Sequence, residues 1–158
     1  YMVKDLYKEK DRKWSFKYPN IKEEIEIGEF SVHGQGSALT IISYGNGFYL
    51  SMQAKGEIEK VLNKKIKIID LRWLSDMNIA NLLEANGKCS KILIIDECRK
   101  NGCYGEGLVS DILTATKNPL KIRLHAAENS FIPLGEAANV TLPSKESIIE
   151  QALELYNE

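Results

Sequence analysis

From Ala38 onward the chain alternates short apolar runs with amphipathic stretches of helical period, and this alternation limits its possible folds more than any single motif does. Residues 38–44 (ALTIISY), 65–71 (KIKIIDL), 91–96 (KILIID) and 121–125 (KIRLH) read as strands, short and rich in β-branched or aliphatic side chains. Such near-continuous apolar runs belong to a parallel sheet whose two faces are both covered. The first helix follows Asn46 and places Leu50, Ala54, Ile58 and Val61 on one stripe. The second starts after Ser75 or Asp76, buries Ile79, Leu82 and Leu83, and stops at Gly87. The third buries Leu108, Val109, Ile112, Leu113 and Thr116 and ends at Asn118-Pro119, because a residue before proline is pushed out of helical geometry. The last begins around Pro143-Ser144 and buries Ile148, Ile149, Ala152, Leu153 and Tyr156. With right-handed crossovers this order predicts a three-layer α/β/α domain. Its crevice is expected at the carboxyl ends of the strands flanking the switch point, where residues 44–47 and 96–99 stand.

Residues 1–36 read differently. Lys4 to Lys17 is basic and aromatic (Tyr7, Trp14, Phe16, with Tyr18 just beyond), then Pro19 and the acids Glu23, Glu24, Glu26 and Glu29 follow. No single period holds throughout, so 1–36 is expected to be an interdomain linker ending in a short strand near 29–33, with 37–158 as the domain. At 158 residues there is room for one core and not two. The balance of 21 Lys+Arg against 22 Asp+Glu supplies no positive excess for nucleic acid or anionic membranes. No apolar run approaches the roughly 20 residues that span a bilayer, and no basic-then-apolar segment opens the chain. A soluble, cytoplasmic protein is expected, and the opening on Tyr1 reads as a piece of a longer polypeptide. Three cysteines, an odd count, point to reduced thiols.

Several residues could carry function. The sequence Gly45-Asn46-Gly47 between strand and helix, followed by Asp70, imitates a dinucleotide fingerprint, so a nucleotide- or dinucleotide-binding Rossmann-like module is the rival reading; the third glycine position, however, is Leu50. Arg72 beside Trp73 either anchors an interface or forms a loop ion pair with the indole in the core. The rim residues Tyr44, Asn46, Glu97 and Arg99 are interface candidates, since no histidine stands near Cys98 in sequence to make it a nucleophile. His125, with Glu128 close behind it, is expected at a partner contact or as a hydrogen-bonded structural histidine rather than as a general base. Cys98 and Cys103 lack a second ligand pair, so no zinc site is expected. Glu146, Glu150 and Glu154, with Glu158, stack like charges at i, i+4 spacing at a cost of about 0.2–0.5 kcal/mol per pair. That stripe is either a solvated face or a candidate docking face for a basic partner.

Taken in order, Leu39-Thr40-Ile41-Ile42-Ser43-Tyr44-Gly45, Ile68-Ile69-Asp70-Leu71-Arg72-Trp73-Leu74, Ile94-Ile95-Asp96-Glu97, Gly105-Glu106 and Phe131-Ile132-Pro133 resemble the carboxy-terminal domain shared by transketolases and the decarboxylating components of 2-oxo acid dehydrogenases. Leu6-Tyr7 and Glu26-Ile27-Gly28-Glu29 look like the segment entering this domain in the β-type dehydrogenase subunit. The resemblance implies a Rossmann-like, mostly parallel five-stranded sheet with one antiparallel strand. It also implies a parent enzyme that decarboxylates a 2-oxo acid, such as pyruvate or a branched-chain acid, and passes the acyl group to lipoyl-lysine. Thiamine diphosphate and magnesium would be held by other domains, through a Gly-Asp-Gly motif absent here. This domain would contribute contacts to other domains or subunits of a homo- or hetero-oligomer and docking of the acyltransferase core, with no catalytic, cofactor-binding or metal-binding residue of its own. It departs from the pattern at Trp73-Leu74-Ser75-Asp76 and Gly105-Glu106-Gly107.

Overall fold

The computed structural model describes residues 10, 11, 20 and 24–158. Leu6, Tyr7, Trp14, Phe16, Tyr18, Pro19 and Glu23, on which most of the linker reading rests, lie outside the described residues. The elements run β1 (Phe30–His33), β2 (Thr40–Ser43), α1 (Gly45–Leu62), β3 (Lys67–Leu71), α2 (Ile79–Asn86), β4 (Lys91–Arg99), α3 (Tyr104–Ala115), β5 (Lys121–Ala127), a 3-10 turn (Gly135–Val140) and α4 (Lys145–Asn157). They build one five-stranded sheet in the order β1-β3-β2-β4-β5. β1 is antiparallel to β3 and the remaining pairs are parallel, as expected.

Two apolar layers flank the sheet. On one face Phe48, Ala54 and Ile58 of α1 and Ile148, Ala152 and Leu155 of α4 pack on Ile41, Ile68, Leu93 and Ile95. On the other, Leu82 of α2 with Leu108 and Ile112 of α3 covers Ile42, Ile69, Ile92 and Ile94. The strands alternate between these layers, so consecutive apolar residues of a central strand, such as Ile41 and Ile42 or Ile68 and Ile69, are buried on opposite faces. Thr40, buried among them, has no hydrogen-bond partner for its hydroxyl.

The helices depart from expectation where tertiary packing rotates or trims them. α1 buries Gly47, Phe48, Ser51, Ala54 and Ile58, while Val61, expected inside, is 65% exposed. The cause is Gly47: a Cβ there would lie 2.4 Å from Ser43 Oγ and 3.3 Å from Ile95 Cγ2, so the helix meets the sheet along the glycine line. α2 begins later than expected because the Asn78 side chain, not Ser75 or Asp76, accepts the Asn81 N–H at 3.0 Å. Gly87 does end it, at φ 66°. In α3, Leu113 is 51% exposed and the helix stops at Thr116, whose hydroxyl accepts from Asn118 N before the proline acts. In α4, Leu155 takes the fully buried place expected of Leu153. Its start is as expected: Ser144 and Ser147 cap each other reciprocally.

Glu59, near the carboxyl end of α1, ties that helix to the entry of β3. Its carboxylate accepts from Lys55 Nζ at 2.5 Å, Lys65 Nζ at 2.8 Å and the Ile66 amide at 3.2 Å. Burial pushes its pKa up, but the two lysines and the amide outweigh that and hold it down at about 2, against 4.5 in the unfolded chain. The stabilisation is therefore complete above pH 4.5 and lost as pH falls through about 2. Glu59→Gln is expected to lower stability at pH 7 by about 1–2 kcal/mol, the solvated Lys65 arm counting for little, and the difference from the parent should shrink to a fraction of that by pH 2. Urea titrations at the two pH values check this.

Candidate functional site

β3 and β4 flank β2 on opposite sides, and the helix layers change face between them, so the winding reverses at the β2/β4 pair. The divergence leaves a crevice at the carboxyl ends of these strands. Tyr44 and Asn46 stand on its β2 side and Asp96, Glu97 and Cys98 on its β4 side, the juxtaposition expected from sequence.

Asp96, read from sequence only as part of a charged rim, organises the crevice. It is 1% exposed and accepts three hydrogen bonds, from Tyr44 Oη at 2.8 Å, Cys98 N at 2.8 Å and Gly105 N at 2.9 Å. Every partner donates, which suits an ionised carboxylate. Gly105 lies in the first turn of α3 and brings the helix close: a Cβ there would sit 2.5 Å from Leu124 Cδ1 and 3.4 Å from Asp96 Oδ2. The carboxylate thus occupies the positive end of α3, where the macrodipole favours it. Burial, then the bond to Asp96, then contact with Cys98 raise the Tyr44 pKa far above its ordinary value, so the phenol stays a donor. Its ring meets Tyr104 edge-on at 6.0 Å.

The second helix start at the crevice is closed in the same way. Asn46, in the first turn of α1, donates through Nδ2 to Glu97 Oε1 at 2.8 Å. Two helix amino termini converge on the switch point, as in a dinucleotide cradle, but each already has a carboxylate of the chain beside it. An incoming phosphate would meet like charge at both. Gly47 is used to seat α1 on the sheet, and Asp70 lies 3.7 Å from Arg72 Nε. The exposed Cys98 lies 3.9 Å from Tyr44 Oη, and both histidines are engaged elsewhere, His33 with Ser31 and His125 with Ser147.

The other candidates lie along the same rim in strand order. Arg72 and Trp73 leave β3, the first exposed and paired with Asp70, the second half-buried. Arg99 is exposed at the bulged end of β4, opposite Ala127. His125 and Glu128 line a hollow of about 330 Å³ with Lys100 and Gln151. Burial lowers the His125 pKa, opposed by Glu150 and Glu128, and its Nε2 lies 2.8 Å from Ser147 Oγ. The acidic stripe of α4 is divided. Glu146 lines a cleft of about 570 Å³ with Asn46, Glu97 and Lys145, Glu150 faces His125 electrostatically, and Glu154 and Glu158 both engage Arg123 of β5.

Sequence reasoning also gave no role to the loop after β5, where Phe131 is 92% exposed, Leu134 95% and Val140 80%. Further along the same loop Asn139 and Leu142, which flank Val140, line the cleft with Asn46 and Glu97. The available signal was a phenylalanine, an isoleucine and a leucine around Pro133 in a segment with no strand or helix period.

Comparison with known proteins agrees with this architecture. The pyruvate dehydrogenase E1 component subunit beta of Staphylococcus epidermidis is 30% identical over 136 residues, which cover 85% of this chain and 42% of the relative. That of Staphylococcus aureus is 28% identical over 138 residues, 86% of this chain and 42% of the relative. The chain thus spans less than half the length of these relatives. A split-gene transketolase described as an inactive beta4 tetramer superimposes with a TM-score of 0.71 at 15% identity, over 89% of this chain and 47% of that one. 2-Oxoglutarate:ferredoxin oxidoreductase from Magnetococcus marinus gives 0.57 at 18% identity, over 81% and 20%. Residues 28–146 match the family model for the transketolase C-terminal domain, and by that match, in the fold it would require, this chain belongs to the transketolase C-terminal domain family.

Proposed function

We propose that the chain is the assembly domain of a thiamine-diphosphate-dependent 2-oxo acid dehydrogenase, joining subunits through the switch-point rim and the apolar loop beside it. The observation that carries this reading is the exposure of Phe131 and Leu134 in a loop whose later residues, Asn139 and Leu142, line the cleft with Asn46 and Glu97, where Tyr44 and Asn46 already have partners. Large apolar side chains in water beside a polar rim have the composition of an interface hot spot. The relatives named as E1 beta subunits support an oxidoreductase parent. Thiamine diphosphate there supplies the carbanion-stabilising chemistry of decarboxylation. The crevice does not fit it: both helix starts there carry carboxylates, and among the described residues no group of three or more His, Cys, Asp or Glu could hold its metal. This supports a division of labour in which cofactor and magnesium are held by other parts of the parent.

Full-length protein carrying Phe131→Ser and Leu134→Ser is expected to associate at least about 30-fold more weakly, two hot-spot losses of about 1 kcal/mol each or more. Its urea midpoint should stay unchanged, because both side chains are solvated in the isolated fold. Sedimentation over a concentration series reads the association, and an undiminished assembly constant would defeat the proposal. The acidic face of α4 is the part we assign to a basic segment of the acyltransferase core, with Glu146 and Glu150 as its contact residues. Arg123 already engages Glu154.

A further inference from the structure

At the opposite end of the sheet, under the amino-terminal ends of β2 and β4, a pocket of about 610 Å³ takes no part in the rim. Its lining includes Lys64, Lys65, Lys91, Ser37, Ser90 and Tyr156, and no carboxylate. The chain as a whole carries a net charge of −1, so three ammonium groups around one hollow are a local reversal of its field. Their positions are built. Gly36 presses its backbone against that of Lys65 and Ile66, where a Cβ would come within 2.0 Å of the Lys65 carbonyl, and this contact joins the two loops that form one wall. Asn63, left-handed at φ 49°, turns α1 into Lys64 and Lys65. The ammonium groups of Lys64 and Lys91 lie 5.6 and 5.0 Å from the centroid of the same Tyr156 ring, and Lys91 also donates to the Tyr156 carbonyl. A neutral ring and a carbonyl hold these cations in place without cancelling their charge. Among the described residues, of these three lysines only Lys65 meets a carboxylate, that of Glu59 at 2.8 Å.

We propose that this pocket binds a small molecule carrying a diphosphate or an equivalent multiply charged phosphate group. Two uncompensated ammonium groups with serine hydroxyls beside them match an anion of charge −2 or more with several acceptor oxygens. A monocarboxylate would satisfy only one of the two. Lysine binds phosphate as a point charge and needs no planar fork, and the volume exceeds that of a single phosphate ion.

The test uses full-length protein in thiamine diphosphate and magnesium, so that any diphosphate site elsewhere in the parent is already filled. Pyrophosphate, ADP and AMP are titrated by calorimetry at low salt, with hydrogen exchange followed by mass spectrometry. Pyrophosphate is expected to bind saturably, more weakly as salt rises, and to protect peptides covering residues 35–38 and 90–91. ADP binding more tightly than pyrophosphate would place the natural ligand among nucleotides; equal affinity would show that the diphosphate alone is read. Lys64→Glu, a change at an exposed side chain, should weaken binding at least about tenfold with an unaltered urea midpoint. Lys91→Gln should do the same, and its midpoint separates lost binding from a loosened α4. No saturation by about 10 mM, unchanged affinity in Lys64→Glu, or protection at residues 45–48 instead would each overturn the proposal.

Discussion

Replacing Asp96 with alanine is expected to destabilise the fold by about 3–5 kcal/mol, the range for removing a buried, fully hydrogen-bonded charge from its partners. The carboxylate is 1% exposed, and its loss would leave the amides of Cys98 and Gly105 and the hydroxyl of Tyr44 facing a dry hole. Asp96→Asn keeps the shape but has one acceptor oxygen in place of two. It can serve Tyr44 and Cys98 or Gly105, not all three, so about 1–3 kcal/mol is expected. Tyr44→Phe removes a single donor and should cost about 1 kcal/mol. This ordering, alanine worst and phenylalanine mildest, is what equilibrium urea unfolding reads. An alanine variant within about 1 kcal/mol of the parent would mean that Asp96 does not hold α3 to the rim.

Gly36→Ala is the second large effect, expected to cost about 3 kcal/mol or more, because overpacking against backbone cannot relax by a rotamer change. The added Cβ would lie 2.0 Å from the carbonyl carbon and oxygen of Lys65 and 2.3 Å from the amide of Ile66. The loop after β1 would have to lift away from the α1–β3 turn. Gly56→Ala is the matched control. Gly56 lies in the interior of α1 with nothing within 4 Å of an added Cβ, so the same chemical change should stabilise by about 0.5–1 kcal/mol through helix propensity. Opposite signs for one substitution at two glycines, measured by thermal or urea unfolding, would identify close approach as the cause.

The two glycines also mark the boundary between local and tertiary information. The sheet was legible because its strands lie between two helix layers and bury side chains on both faces, which puts consecutive aliphatic residues into 38–44, 65–71 and 91–96. The resemblance in the same segments carried the antiparallel first strand. Helix ends were legible where a side chain signals its own cap, as at Ser144 and Gly87, and misread where a neighbour decided: Asn78 captured the start of α2, and Gly47 turned α1 so that Val61 faces water.

For the candidate site, the crevice residues Tyr44, Asn46 and Glu97 could be placed in advance because topology alone sends the ends of β2 and β4 to one point. The sequence by itself determined the layered architecture, the switch point and the absence of a Gly-Asp-Gly clamp, since each follows from period, order or composition. Only the tertiary structure decided that Asp96 and Glu97 turn back onto the starts of α3 and α1, that Arg123 takes up half of the acidic stripe, and that Lys64 and Lys91 meet over Tyr156. Those are contacts between residues many positions apart, and their partners are set by how strands and helices pack, which no local window of sequence contains.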